Sequence, residues 1–170
     1  MKNKSIKTLS VAALIAALTF VGTGFFKMPI PGTGEYVHAG DGFVLLGALL
    51  LPPGYAALAG AVGAAMADLL SPYAMWTPWT FAIKGISAYA AARIAAGGGR
   101  RREWIGSAAF LVLNTGGYWL AGCVLYGPPA ALVALPFTFF QSVVGVVLSR
   151  VCRAPCGHLI AGMERNRKEM

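Results

Sequence analysis

The sequence predicts an all-α integral membrane protein, a single bundle of six transmembrane helices over residues 1–170 with both termini on the cytoplasmic side. Three observations carry that expectation. Of the 170 residues, 57% are apolar and only 12% charged, about half the charged share of a soluble domain, and the mean hydropathy is +0.65. The apolar residues fall into runs of membrane-spanning length divided by Pro/Gly turns or basic clusters. Finally, 12 of the 14 Lys and Arg residues lie at the amino terminus, in a linker around Arg100 or toward the carboxyl end. Six spans bring these three regions to one face, and the excess of basic residues makes that face cytoplasmic. A nucleic-acid binder would interleave basic and aromatic residues on a soluble fold; here the basic clusters only punctuate apolar runs.

The first span covers residues 8–26, behind a basic start at Lys2, Lys4 and Lys7. A basic segment before an apolar run also describes a cleavable signal peptide, but about 19 apolar residues are enough to cross, and the run is read as an uncleaved helix. Ala12 and Ala16, and Ala13 and Ala17, repeat at four-residue spacing, which lets another helix approach closely; periodicity leaves open whether that helix is internal or a partner's. Pro29, Pro31, Gly32 and Gly34 make residues 27–38 a loop. The second span, 40–51, is short for a crossing. The third, 55–70, is built largely of Ala and Gly and needs close packing inside a bundle. A turn at 71–73 leads to the fourth span, 76–96, entered by Trp76 and Trp79. Residues 97–102 are a linker, 104–126 the fifth span, 127–129 a turn and 130–151 the sixth. Residues 153–170 form a basic cytoplasmic tail.

The chain lacks a Walker A motif, a His-Glu-x-x-His pair and a Gly-x-Ser-x-Gly elbow, and its two histidines, His38 and His158, fall on opposite faces of the predicted bundle. An enzyme is therefore not expected. Cys123, Cys152 and Cys156 are odd in number and imply no disulfide framework. The spacing of Cys152, Cys156 and His158 matches no strong zinc pattern, so neither metal nor cofactor is expected.

Polar residues inside the spans set the functional expectation, because an ionised group at mid-bilayer costs roughly 2.5–3.5 kcal/mol. Asp41, Asp68 and Lys84 all fall in the outer half. Lys84 paired with Asp41 or Asp68 would lock helices together; the same groups lining an outward cavity would bind a solute. Asn114 and Tyr118 share a face of the fifth span, and Thr138, Gln141 and Ser142 a face of the sixth. With Tyr36, His38, Trp76 and Trp79 at the outer mouth, these residues supply the donors, acceptors and aromatic faces that suit a small ring-containing solute. No internal repeat points to a self-sufficient transporter, so such a binder needs a separate motor.

The run Tyr36-Val37-His38-Ala39-Gly40-Asp41-Gly42-Phe43-Val44, followed by Gly47-Ala48-Leu49-Leu50, Pro53-Gly54, Ala67-Asp68-Leu69-Leu70 and Phe81-Ala82-Ile83-Lys84-Gly85, resembles the S components of energy-coupling factor (ECF) vitamin transporters. The pattern is similar to the branch associated with pyridoxine, hydroxymethylpyrimidine and related uptake. The resemblance spans nearly the whole chain. It implies a high-affinity capture subunit in the prokaryotic cell membrane, with the first outer loop as a lid. Its implied partners are a transmembrane coupling subunit and two ATPases, reached through the small residues Ala12, Ala13, Ala16 and Ala17. The substrate-binding candidates are then Tyr36, His38 and Asp41 at the lid, Lys84, Asn114, Tyr118 and Gln141 on the ligand, and Trp76 and Trp79 at the entrance. The rival expectation is a structural or assembly membrane protein without a solute.

Overall fold

The computed structural model describes residues 2–153, with side chains from Ile6 onward; the expected tail beyond Arg153, with Cys156 and His158, lies outside the described residues. Six helices run in order: α1 (Lys2–Gly24), α2 (Gly40–Leu50), α3 (Pro53–Leu69), α4 (Thr77–Ala95), α5 (Arg100–Tyr126) and α6 (Pro128–Arg153). The all-α expectation needs one addition. The 27–38 loop contains a two-residue antiparallel hairpin, β1 (Met28–Pro29) paired with β2 (Tyr36–Val37), closed over a turn that uses Gly32 at φ +76°. Among the described residues, α1, α5 and α6 are the helices both long and apolar enough to cross a membrane by themselves.

Apart from the hairpin segment between α1 and α2, connections between consecutive helices are short. The hairpin, the 70–76 segment with its 3-10 turn at Ala74–Trp76, and the Gly127 turn gather at one end of the bundle. Gly127 adopts φ +88°, and Pro128 then opens α6 at the position where a missing N–H costs nothing. The expected linker at 97–102 is only partly a linker. Gly98 and Gly99, both at positive φ, end the turn, and α5 starts at Arg100 rather than Trp104. Arginine is a good helix former, and Glu103 in the first helical turn pairs with Arg150 and Arg153 of α6.

Small residues bring the helices together. Gly63 of α3 lies against the Ala16 backbone of α1, and a Cβ on Gly145 of α6 would stand 2.8 Å from the Asp41 Cβ of α2. α2 is sheathed by its neighbours: every residue except Phe43 is buried, which explains how an 11-residue helix persists at the centre. The core cluster runs through Ile15, Val44, Leu45, Ala48, Leu51, Ala56, Ala88, Ala92 and Phe110. This packing distinguishes the two alanine rows of α1. Ala12 belongs to that core and the half-buried Ala16 packs against it, while Ala13 and Ala17 are exposed on the adjoining face of α1.

Candidate functional site

The hairpin end of the bundle closes over a narrow chamber lined by Glu35, Tyr36, His38, Asp68, Trp76, Thr80, Tyr118, Thr138 and Gln141, with a free volume of about 20 Å³. That is room for about one water in this closed arrangement. The lid is the 28–38 segment, and four sets of bonds hold it down. Trp76 Nε1 donates to the Gly34 carbonyl at 3.0 Å. Tyr126 Oη donates to the same carbonyl at 3.3 Å, and the Tyr126 ring occupies the space that a side chain at Gly34 would need. The Tyr36 hydroxyl donates to Asp68 of α3, and the His38 backbone N–H donates to Gln141 Oε1 of α6 at 2.9 Å.

Asp68 is a hub for this closure. Besides Tyr36 it accepts from Thr80 Oγ1 at 2.6 Å and faces Lys27 Nζ at 3.6 Å. The Lys27 ammonium is itself anchored on the Ala67 carbonyl and Ser71 Oγ and lies 4.5 Å from the centre of the Tyr36 ring. Burial holds the Lys27 amine below its usual range, partly offset by Asp68, and burial together with the Asp68 charge raises the Tyr36 phenol. Asp68 therefore does not pair with Lys84, as one of the two sequence-based alternatives had it; the cation that faces it comes from the first loop.

Lys84 belongs to a second network beneath the chamber. Its ammonium pairs with Asp41 and donates to Asn114 Oδ1 at 2.9 Å. Asn114 Nδ2 donates to Asp41 Oδ2 and to Ser142 Oγ, each at 2.9 Å. Gln141 Nε2 reaches Asp41 Oδ2, also at 2.9 Å. Lys84, Asp41 and Asn114 are fully buried. The remaining side of the ammonium is covered by the Tyr118 ring, 4.7 Å away at its centre, so Tyr118 stands between this network and the chamber. The cost of burying a charge is met by a partner and a full set of hydrogen bonds.

His38 joins lid to floor. The Gly40 N–H donates to its Nδ1 at 3.0 Å, which places the ring proton on Nε2, 3.8 Å from Asp41 Oδ1. Burial is the main cause that keeps the imidazole neutral, down to about 3.

Of the nine substrate-site candidates, Tyr36, His38, Trp76, Tyr118 and Gln141 line the chamber. Asp41, Lys84 and Asn114 form its buried support instead, because their polar atoms are spent on one another. Trp79 is not in the wall: it packs against the cluster of Trp76, Ile83 and Ala121. Trp76 is buried, with 2% of its surface exposed, and acts as a latch, not as an interfacial anchor. Glu35, Thr80 and Thr138 are wall residues outside those nine candidates, although the sequence already places Thr138 on the polar face of the sixth span. Two of them carried a signal in their spacing: Thr80 precedes Lys84 by four residues on α4, and Thr138 precedes Gln141 by three on α6.

The latch makes a first prediction. Trp76→Phe keeps the ring and removes the donor to Gly34. Amide hydrogen exchange across residues 28–37 should speed up about three- to tenfold, the worth of one buried hydrogen bond of roughly 0.5–1.5 kcal/mol, with the helices unchanged. Equal exchange in both proteins would show that the lid is held elsewhere.

Comparison with known proteins agrees with this architecture. The family model described as "ECF-type riboflavin transporter, S component" matches residues 3–152. The thiamine precursor transporter HmpT of Lactococcus lactis subsp. cremoris is 32% identical over 152 residues, covering 89% of this chain and 88% of that protein. An uncharacterised protein of Pyrococcus woesei is 30% identical over 129 residues, 75% of this chain and 86% of its own. Among solved structures, the S component for biotin from an ECF-type ABC transporter superposes with a TM-score of 0.64 over 90% of this chain and 94% of that one, at 12% identity.

Proposed function

The chain belongs to the S components of ECF-type transporters, the substrate-binding subunits of these importers, and from that membership we propose that its lidded chamber captures a single-ring vitamin precursor of the hydroxymethylpyrimidine or pyridoxine class. The observation that carries this reading is the chamber itself. Aromatic rings, neutral hydrogen-bonding side chains and a stapled lid converge on one small space. With so little free volume in the closed form, the 28–38 segment must move to admit a ring. The similarity to a thiamine precursor transporter supports the choice of class. A purely structural role gives way to this reading.

In the proposal all six helices sit in the plasma membrane of a prokaryote as one domain. Both ends and the Arg100 segment are cytoplasmic, with the lid outside. α2 enters the bilayer sheathed by its neighbours, and the Ala-rich α3 and α4 enter or cross it with Leu58, Val62, Phe81 and Ile86 turned outward. Tyr36, His38, Trp76, Tyr118 and Gln141 contact the ligand, and Asp41, Lys84 and Asn114 hold Tyr118 and Gln141 in place. A membrane coupling subunit with two ATPases supplies the energy. Its docking surface on α1 is the small-residue patch of Ala12, Ala13, Ala16 and Ala17, of which Ala13 and Ala17 are exposed and Ala16 half-buried.

A thermal-shift series on the purified chain tests the reading. Hydroxymethylpyrimidine or pyridoxine at a hundred times its Kd should add about 2.7 kcal/mol to the folded state. The absence of stabilisation by either compound, with riboflavin or biotin effective instead, would overturn the assignment.

A further inference from the structure

Glu35 is the chamber-wall acid that no donor among the described residues reaches. Its backbone is engaged, the N–H with Thr33 Oγ1 at 3.2 Å and the carbonyl with the Ile30 N–H at 3.0 Å. Its carboxyl is carried to α5 at Gly122, where a Cβ would stand 2.6 Å from Oε1; a bare backbone at 122 leaves the space the carboxyl uses. Only 6% of the residue is exposed. The contrast with Asp68, met by Tyr36, Thr80 and Lys27, is complete. Ionising a carboxyl at this depth with no donor on it is costly.

The geometry points to Glu35 as the residue that reads a nitrogen edge of the ligand, a weakly basic ring nitrogen beside an exocyclic amino group, held on the two carboxyl oxygens with one proton shared between acid and ring. The inference rests on the reading of the chamber as the ligand site, and it selects within it: an aminopyrimidine presents such an N–C–N edge, and pyridoxine does not. Two parallel hydrogen bonds match the spacing of the two oxygens. In one proton arrangement the carboxylate accepts from a protonated ring and from the amino group. In the other, the carboxylic acid donates to the ring nitrogen and its carbonyl oxygen accepts from the amino group. The complex holds one proton either way.

Burial pushes the Glu35 carboxyl up to about 7, so the free site loses that proton near neutrality. The ionisable groups around it are Tyr36, His38 and Asp68 across the chamber and Tyr118 on α5. α6 presents only Thr138 and Gln141, and the 3-10 turn only Trp76. His38 stays neutral and Tyr36 protonated through this range, and Asp68 keeps its bonds to Tyr36, Thr80 and Lys27. Above about 7, binding must therefore take up a proton, and Kd weakens about tenfold per pH unit.

The test is titration of the purified full-length protein with hydroxymethylpyrimidine, with its analogue lacking the amino group, and with pyridoxine, at pH values between about 6 and 8.5. The wild type should prefer the amino compound at least tenfold and lose affinity with the stated slope above about 7. Glu35→Gln retains a donor and an acceptor but no titrating proton, so its Kd should be flat with pH; Glu35→Leu should bind the amino and des-amino compounds within about threefold of each other. A flat wild-type profile, or unchanged selectivity in Glu35→Leu, would overturn the role of Glu35 while leaving the chamber assignment standing. Tight, pH-independent binding of pyridoxine alone would overturn the aminopyrimidine choice, and binding of none of the three overturns the role and the chamber assignment together. The wild-type slope needs no variant, so a folding defect in either mutant does not rescue the idea.

Discussion

Replacing Lys84 with Ala should leave a protein that scarcely folds. The substitution takes away the cation that faces Asp41 at the centre of the bundle, together with the donor to Asn114 Oδ1. Asp41 then remains as a carboxylate with no exposed surface, retaining the amide donors of Asn114 and Gln141 and its more distant approach to the neutral His38 ring. Breaking one side of a buried pair costs about 3–5 kcal/mol, a large part of the stability of a chain of this size and on the order of 10 °C in melting temperature. The double variant Lys84→Met with Asp41→Asn removes both charges and should recover most of the loss, because an apolar stem and a neutral amide leave no ion uncompensated. Size-exclusion profiles and melting curves in detergent decide between these outcomes. A well-folded Lys84→Ala protein melting within a few degrees of the parent would contradict the account of the floor.

Gln141→Leu should give the largest loss of binding among single substitutions that preserve the fold. Gln141 works at both ends of its amide. Its oxygen accepts the His38 N–H from the lid, and its nitrogen donates to Asp41 below, so one side chain ties the closing element to the charged floor. Leucine fills the volume but leaves the His38 N–H without its acceptor and one Asp41 lone pair without its donor, at about 1–3 kcal/mol each. Affinity should fall about a hundredfold or more, with a smaller drop in melting temperature than for Lys84→Ala. Gln141→Glu is a sharper version: it can still accept from His38 but sets a second carboxylate against Asp41. Comparable affinity in Gln141→Leu and the parent would remove Gln141 from the site.

Much of the fold was legible because a bilayer makes apolar runs and basic clusters unambiguous. The six helices fall where the hydropathy puts them, with ends displaced by a few residues. Arg100–Arg102 joined α5 because Glu103 draws Arg150 and Arg153 onto its first turn, a contact across 47 residues of sequence that no local pattern reveals. The site was legible as a set of misplaced polar groups, and Asp41, Lys84, Asn114, Tyr118 and Gln141 do converge. What the sequence could not supply was rotation about each helix axis. That rotation decides that Lys84 meets Asp41 while Asp68 turns to Lys27, that Ala12 faces inward and Ala13 outward, and that Tyr118 screens the ammonium from the chamber. Glu35 was hidden for a different reason: an acid in a Gly/Pro-rich loop reads as solvated until the loop is seen folded under Trp76 and Tyr126.

The most direct test follows backbone amide exchange in the purified protein with and without saturating hydroxymethylpyrimidine. If the chamber is the capture site, the ligand protects residues 28–38, the 74–80 turn and the α6 segment around Thr138–Gln141, and leaves the opposite, Arg-rich end of the bundle unchanged. Protection confined to other regions, or binding that leaves the lid exchanging at its free rate, would mean that the guest is held somewhere else.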